Sequence, residues 1–185
     1  RDHGCDWSSD VCSSDLEIPL KAHVHRADDI LTALRIAKEF DVNITLDHCT
    51  EGHLIVDYLK EGIQKGIILG PSLSNRSKVE LKNLTFKTPG ILSSAGIKVA
   101  IMTDHPVIPL QYLPICAGLA TREGMDEEEA LRAITINAAE ILDIDGTVGS
   151  LEVGKDADII IYSGHPFDLR SKVEFVMVNG VIVKK

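Results

Sequence analysis

Four polar side chains stand where apolar runs of this chain end: His23, His25, His48 and Asp104. His23 and His25 close a short run in the order His-Val-His, and the two-residue period of a strand sets both on one face. His48 follows Leu46-Asp47 at the end of the next run. Asp104 ends the stretch Ile97-Lys98-Val99-Ala100-Ile101-Met102-Thr103, whose two alternating faces are both almost wholly apolar, as in a parallel strand covered on both sides. Ligands of parallel α/β sheets bind at the carboxyl ends of the strands. Imidazole and carboxylate are donors that a borderline divalent cation such as zinc accepts, at roughly 2.0 to 2.2 Å. Strand ends far apart in sequence can therefore converge on one ion. Each residue also has a plainer reading. Asp104 can cap the turn before Pro106, and a lone histidine is commonly a semi-buried, hydrogen-bonded side chain. Three strand ends that finish in ligand-type residues weigh against that reading. His53 on a helix, His105 beside Asp104 and His165 in a later β segment are read as structural.

The elements that must position these residues alternate. Ile18 to Val24 reads as a strand, and Arg26 to Phe40 as a helix with Ala27, Ile30, Leu31, Leu34 and Ala37 on one face. Val42 to Leu46 is the next strand, Gly52 to Glu61 a shorter helix, and Gly66 to Leu69 a third strand before Gly70-Pro71. Ser72 to Phe86 is polar and irregular, in the manner of a lid or active-site loop. Pro89 suits the first turn of a helix that ends near Gly96 and delivers the chain into the Asp104 strand. Such alternation argues for a parallel sheet. Helices are expected over Leu110 to Arg122, with Pro114 predicting a kink or a late start, and over Asp126 to Leu142, with Asp126 as N-cap. After Gly146 come short β segments: Ile159 to Tyr162, Val173 to Val178 and Val181 to Val183, the last two joined by an Asn179-Gly180 hairpin turn. This all-β unit of about forty residues is too small to bury a core alone and must pack on something else.

The first sixteen residues stand apart. Cys5-Asp6-Trp7-Ser8-Ser9-Asp10-Val11-Cys12-Ser13-Ser14-Asp15-Leu16 is what a common short-read sequencing adapter encodes, all twelve residues matching. Arg1 to Leu16 is therefore expected to be non-native, and disordered or arbitrarily placed, and is set aside from fold reasoning. One arginine against four aspartates gives that segment −3 of the chain's −9, so the remainder carries about −6. A mildly acidic domain lacks the basic stripe that nucleic acid or an anionic membrane demands, and neither is expected as a partner. No apolar run approaches the ~20 residues that span a bilayer. The two remaining cysteines, Cys49 and Cys116, form neither a disulfide framework nor a zinc knuckle, which fits a reducing cytoplasm. A Gly-x-Ser-x-Gly nucleophile motif is absent, and the glycines of Gly146 to Gly154 have neither Rossmann nor P-loop spacing.

The motifs together resemble the carboxyl-terminal half of an amidohydrolase-superfamily enzyme of the imidazolonepropionase-like group. Lys21-Ala22-His23-Val24-His25 is similar to the fifth barrel strand of that family, Thr45-Leu46-Asp47-His48-Cys49-Thr50-Glu51 to the sixth, and Ala100-Ile101-Met102-Thr103-Asp104 to the eighth. Thr135 to Leu142 resembles the helix after the barrel, and Gly149-Ser150-Leu151-Glu152-Val153-Gly154-Lys155-Asp156-Ala157-Asp158 the approach to the family's small β domain. The resemblance covers essentially Glu17 to Lys185. It implies an α/β fold: half of a TIM-type (β/α)8 barrel, strands five to eight, over residues 17–145, followed by part of a β-sandwich subdomain over 146–185. A whole barrel of this type takes about 250 residues, so four strands are expected to be missing.

The same resemblance assigns His23, His48 and Asp104 to a divalent metal, zinc being the expected ion, with one or two ions bound. Asp104 would also shuttle the proton and His48 could polarise the substrate carbonyl, while His25 is assigned to the substrate pocket. The implied activity is hydrolysis of a carbon–nitrogen bond in a small amide-type or cyclic-amide substrate by metal-activated water, by a protein that could be a homo-oligomer. Deamination at the same centre, and a catalytically silent scaffold of amidohydrolase shape, are the competing readings. The chain by itself is expected to be neither active nor a tight metal binder, because an unclosed sheet does not hold ligands within the ~0.5 Å that a productive site needs.

Overall fold

The computed structural model describes residues 19–63 and 65–184. The adapter-like segment lies outside them. Four parallel strands form one sheet: β1 (Leu20–Val24), β2 (Ile44–His48), β3 (Ile67–Leu69) and β4 (Val99–Ile101), in spatial order β1-β2-β3-β4. The crossovers carry α1 (Ala27–Phe40), α2 (Val56–Gly62) and α3 (Thr88–Ser94). Then follow α4 (Leu113–Arg122), α5 (Glu127–Ala133) and α6 (Ile136–Ile141), and a three-stranded antiparallel sheet of β5 (Ile159–Tyr162), β6 (Val173–Val178) and β7 (Val181–Lys184).

The register explains the two faces of the parallel sheet. Leu46, Ile67 and Val99 stand abreast and are buried in the core with Ile30 of α1, Leu59 of α2 and Leu92 of α3. In the alternating row, Lys21 pairs with Thr45 and His23 with Asp47, and the Lys21 ammonium meets Asp47 Oδ1 at 3.0 Å. One face is thus apolar and helix-covered. The other carries the polar side chains, with His23 at its carboxyl end.

Three expectations change. The Asp104 strand is shorter than its apolar pattern: it ends at Ile101, and Asp104 sits in the following turn with a positive φ of 51°. Hydrogen bonding to β3 has ended by then, the Met102 N–H to Leu69 O bond being the last across that pair. The helix over Gly52 to Glu61 is a 3₁₀ turn, Gly52–Leu54, followed by α2. The helix over Asp126 to Leu142 is broken into α5 and α6 at Ile134-Thr135, where the Thr135 hydroxyl turns back to the Leu131 carbonyl. The break lets buried Asn137 donate from Nδ2 to the Val99 carbonyl at 3.0 Å, so a contact to the sheet outweighs helix continuity.

Other local readings agree. Asp126 caps α5 by accepting from the Glu129 N–H, and Pro114 gives α4 a late start after a 3₁₀ turn at Leu110–Tyr112. Asn179 and Gly180 both have positive φ, as the two-residue hairpin requires. The β unit does lean on the rest: Phe167 packs against the core over Gly118, and His165 Nε2 lies 3.4 Å from Glu127 Oε1. Replacing Asn137 by alanine strands the Val99 carbonyl in a buried place and is expected to cost about 1 to 3 kcal/mol. A urea-denaturation midpoint unchanged from that of the parent chain would contradict this.

Candidate metal centre

His48 is delivered to the site by backbone that its sequence neighbours do not favour. It and Cys49 both lie in the left-handed region, with φ of 71° and 44°, a conformation costing roughly 1 kcal/mol or more per non-glycine residue. Three hydrogen bonds hold the turn: Cys49 N–H to Val24 O at 2.8 Å, Gly52 N–H to Cys49 O at 2.9 Å and Glu51 N–H to His25 O at 2.9 Å. The turn thereby ties the end of β2 to the end of β1.

Three imidazoles meet there. His23, His25 and His48 each offer a ring nitrogen, and these atoms lie within 4.8 Å of one another. The ring centroids of His23 and His48 are 4.1 Å apart, those of His25 and His48 4.5 Å, and His23 Nε2 is 3.2 Å from His25 Nε2. His25 and His48 are buried, and His23 is exposed. Each buried ring is held by its other nitrogen. His48 Nδ1 is 2.6 Å from the Gly70 carbonyl oxygen. A carbonyl can only accept, so Nδ1 carries the proton and neutral His48 keeps a free lone pair on Nε2. His25 Nδ1 is 2.8 Å from the Thr50 hydroxyl.

The electrostatics favour neutral rings. Burial, and after it the charge on His48, push His25 down to about 4, against the raising influence of Glu80. His48 is lowered chiefly by burial, against its bond to Gly70. Imidazole nitrogens within 4.8 Å of one another are the donor set that zinc-like cations take, and the three residues fit such an ion. The Cys49 thiol, though next in sequence, is pushed up to about 12 by burial and is no thiolate donor.

The structure therefore groups His25 with His23 and His48. Asp104 stands outside that group, half-buried in its turn and near enough to His48 to influence its charge. Of the other histidines, His53 Nδ1 is 2.9 Å from the Thr88 hydroxyl, His105 is exposed and His165 pairs with Glu127. Sequence reasoning missed several supports. Glu51 Oε2 accepts from the Ala27 N–H at the start of α1, and its Oε1 accepts from Asn83 Nδ2, both at 2.8 Å. Gly70 approaches the Met102 carbonyl so closely that a Cβ would lie 2.2 Å from that oxygen. Glu80 Oε1 comes to 3.7 Å from His25 Nε2 out of a stretch read as a lid or active-site loop, in which no single residue was singled out. None of the three carries a local signal, since each depends on a partner from another element.

Known proteins share this chain's fold and part of its sequence. The profile described as "Amidohydrolase family" matches residues 84–184. The chain is 37% identical over 100 residues to imidazolonepropionase of Alkaliphilus metalliredigens, an alignment covering 48% of this chain and 23% of that one. Its fold superposes on the crystal structure of an amidohydrolase from Thermotoga maritima with a TM-score of 0.89 and 45% identity, covering 95% of this chain and 45% of that chain. An adenosine deaminase from Xanthomonas campestris with bound zinc gives a TM-score of 0.67 at 21% identity, over 94% of this chain and 47% of that one, a likeness of fold. The chain thus spans about half the length of these solved relatives, and its parallel sheet is a part of their barrel. Three imidazoles at strand ends and a profile match over more than half its length lead to one conclusion: the chain belongs to the amidohydrolase family.

Proposed function

We propose that the protein carrying this chain is a metal-dependent hydrolase that cleaves a carbon–nitrogen bond in a small amide-type substrate, with zinc as its ion. The observation that supports this most is the convergence of His23, His25 and His48 at the carboxyl end of a parallel sheet. His23 and His48 hold the ion, and His25, whose Nε2 faces His23, either joins them or borders the substrate. Bound there, a divalent cation supplies Lewis acidity and a water acidified toward neutrality. The chain's own groups do the rest. The Gly70 carbonyl keeps the proton of His48 on Nδ1. Asp104, whose charge is felt by His48, takes a proton from the attacking water and returns it to the leaving nitrogen. The adenosine deaminase likeness keeps deamination as the second reading, differing in substrate more than in donors.

Three outcomes follow for the full-length protein that carries this sequence. Chelation should abolish hydrolysis of amide substrates and zinc should restore it, and His48→Ala should lower the zinc retained after dialysis at least tenfold; retention equal to the parent's would remove His48 from the site. Asp104→Asn should lower kcat by several orders of magnitude with zinc content kept, and an unaltered kcat would refute its role as proton carrier. The third concerns the metal-free protein and acid. The folded state of His25 binds its proton only near pH 4, the unfolded state near 6.5. Between those values the unfolded chain holds more protons, so stability falls as pH is lowered through the window. His48, shifted the same way, adds to the effect. Urea midpoints measured across this window should drop with acid, and should drop less in His25→Gln. Equal slopes in the two proteins would speak against the buried neutral ring.

A further inference from the structure

The connection from β3 to α3 is folded down onto the histidines. Asn83 Nδ2 donates to Glu51 Oε1 at 2.8 Å, Arg76 Nη2 to the Leu84 carbonyl at 2.7 Å and Ser74 Oγ to the Pro71 carbonyl at 2.9 Å. Leu81 and Leu84 are buried beneath it. These anchors set a 3₁₀ turn, Val79–Leu81, so that Glu80 Oε1 stands 3.7 Å from His25 Nε2. Glu80 is not among the three side chains whose donor atoms lie within 4.8 Å of one another. Its carboxylate therefore borders the donor group at the mouth of the site, where a substrate's non-reacting part would lie.

We propose that Glu80 is the specificity-determining residue of this site, its carboxylate receiving an ammonium group close to the scissile bond of an amide-type substrate held over His23, His25 and His48. This rests on the hydrolase reading above. Lys78 Nζ lies 3.3 Å from Glu80 Oε1, which shows that a primary ammonium fits beside this carboxylate. The lysine side chain is 63% exposed against 36% for Glu80, so it approaches from the solvent side. A substrate ammonium can take its place without leaving either charge buried and unpaired, because displaced Lys78 returns to water. A neutral substrate gains nothing from the carboxylate and an anionic one is repelled, so selection works by attraction and penalty together. The reach is short, since Glu80 is one contact away from His25. The favoured position for the charge is the carbon next to the scissile carbonyl, as in an aminoacyl amide, rather than the end of a long side chain.

The test compares two substrates of equal acyl length in the full-length protein, alanine p-nitroanilide and propionyl p-nitroanilide, which differ by one ammonium. The ratio of their kcat/KM values should favour the alanine compound in the parent protein and fall about tenfold in Glu80→Gln, the size of one partly hydrated charge-assisted hydrogen bond. In Lys78→Met the ratio should rise, because the competitor is gone. An unchanged ratio in Glu80→Gln, or a lowered one in Lys78→Met, overturns the proposal; the second result would make the pair a scaffold for the loop. Binding of propylammonium against propanol, followed through the histidine ring resonances, reads the same site without turnover and should weaken about tenfold in Glu80→Gln. Should neither anilide be cleaved by the parent protein, the hydrolase reading loses and this second measurement decides alone. Propylammonium affinity lost with Glu80 upholds the carboxylate as a cation receptor. Absent binding, or binding equal in both proteins, refutes it.

Discussion

The bond between His48 Nδ1 and the Gly70 carbonyl is the constraint on which the rest of the site depends. It settles which nitrogen of His48 is free, and it does so across two strands, since Gly70 follows β3 while His48 ends β2. Gly70 in turn has a φ of 140° and is packed against the Met102 carbonyl, where no side chain fits. The carbonyl that orients the imidazole is thus fixed by contact with the segment that leads to Asp104. Sheet order, the glycine and the histidine tautomer form a single arrangement, and disturbing any one of them alters the lone pair that faces the other rings.

The second governing term is burial. Taking His25 and His48 out of water disfavours their charged forms, which eases the repulsion that close imidazolium rings would meet. The carboxylates are arranged around them instead of between them. Asp104 bears on His48, Glu80 on His25, and Asp47 is engaged by Lys21 on the polar face below. Glu51, though only three residues past His48 in sequence, spends both oxygens on backbone and loop, joining the start of α1 to Asn83. The centre is therefore imidazole-rich, with Asp47, Glu51 and Glu80 around it held by their own partners.

Much of this was legible in the sequence because parallel strands buried on both faces are written as near-continuous apolar runs. Val99 to Ile101 is one, and its place was plain. The ligand types at strand ends, His23 and His48, were plain for the same reason, as was the Asn179-Gly180 turn. What escaped the reading is decided by distant partners. The break at Ile134-Thr135 exists because Asn137 reaches a strand carbonyl, which no helical periodicity encodes. The early end of β4 reflects where its pairing with β3 stops. Glu80 lay in a stretch whose polarity announced a loop but not where its anchors would place one carboxylate.

The order β1-β2-β3-β4 has a consequence for where the parts of the site reside in the chain. Every strand pairs with its neighbour in sequence, so each crossover joins adjacent strands of the sheet. All three imidazoles belong to a single such crossover, since His23 and His25 flank the end of β1 and His48 ends β2. The three imidazoles therefore come from one βαβ unit, and the segments bearing Gly70, Glu80 and Asp104 come from later in the chain. Variation in those later segments can change what surrounds the imidazoles while the βαβ unit that carries them stays as it is.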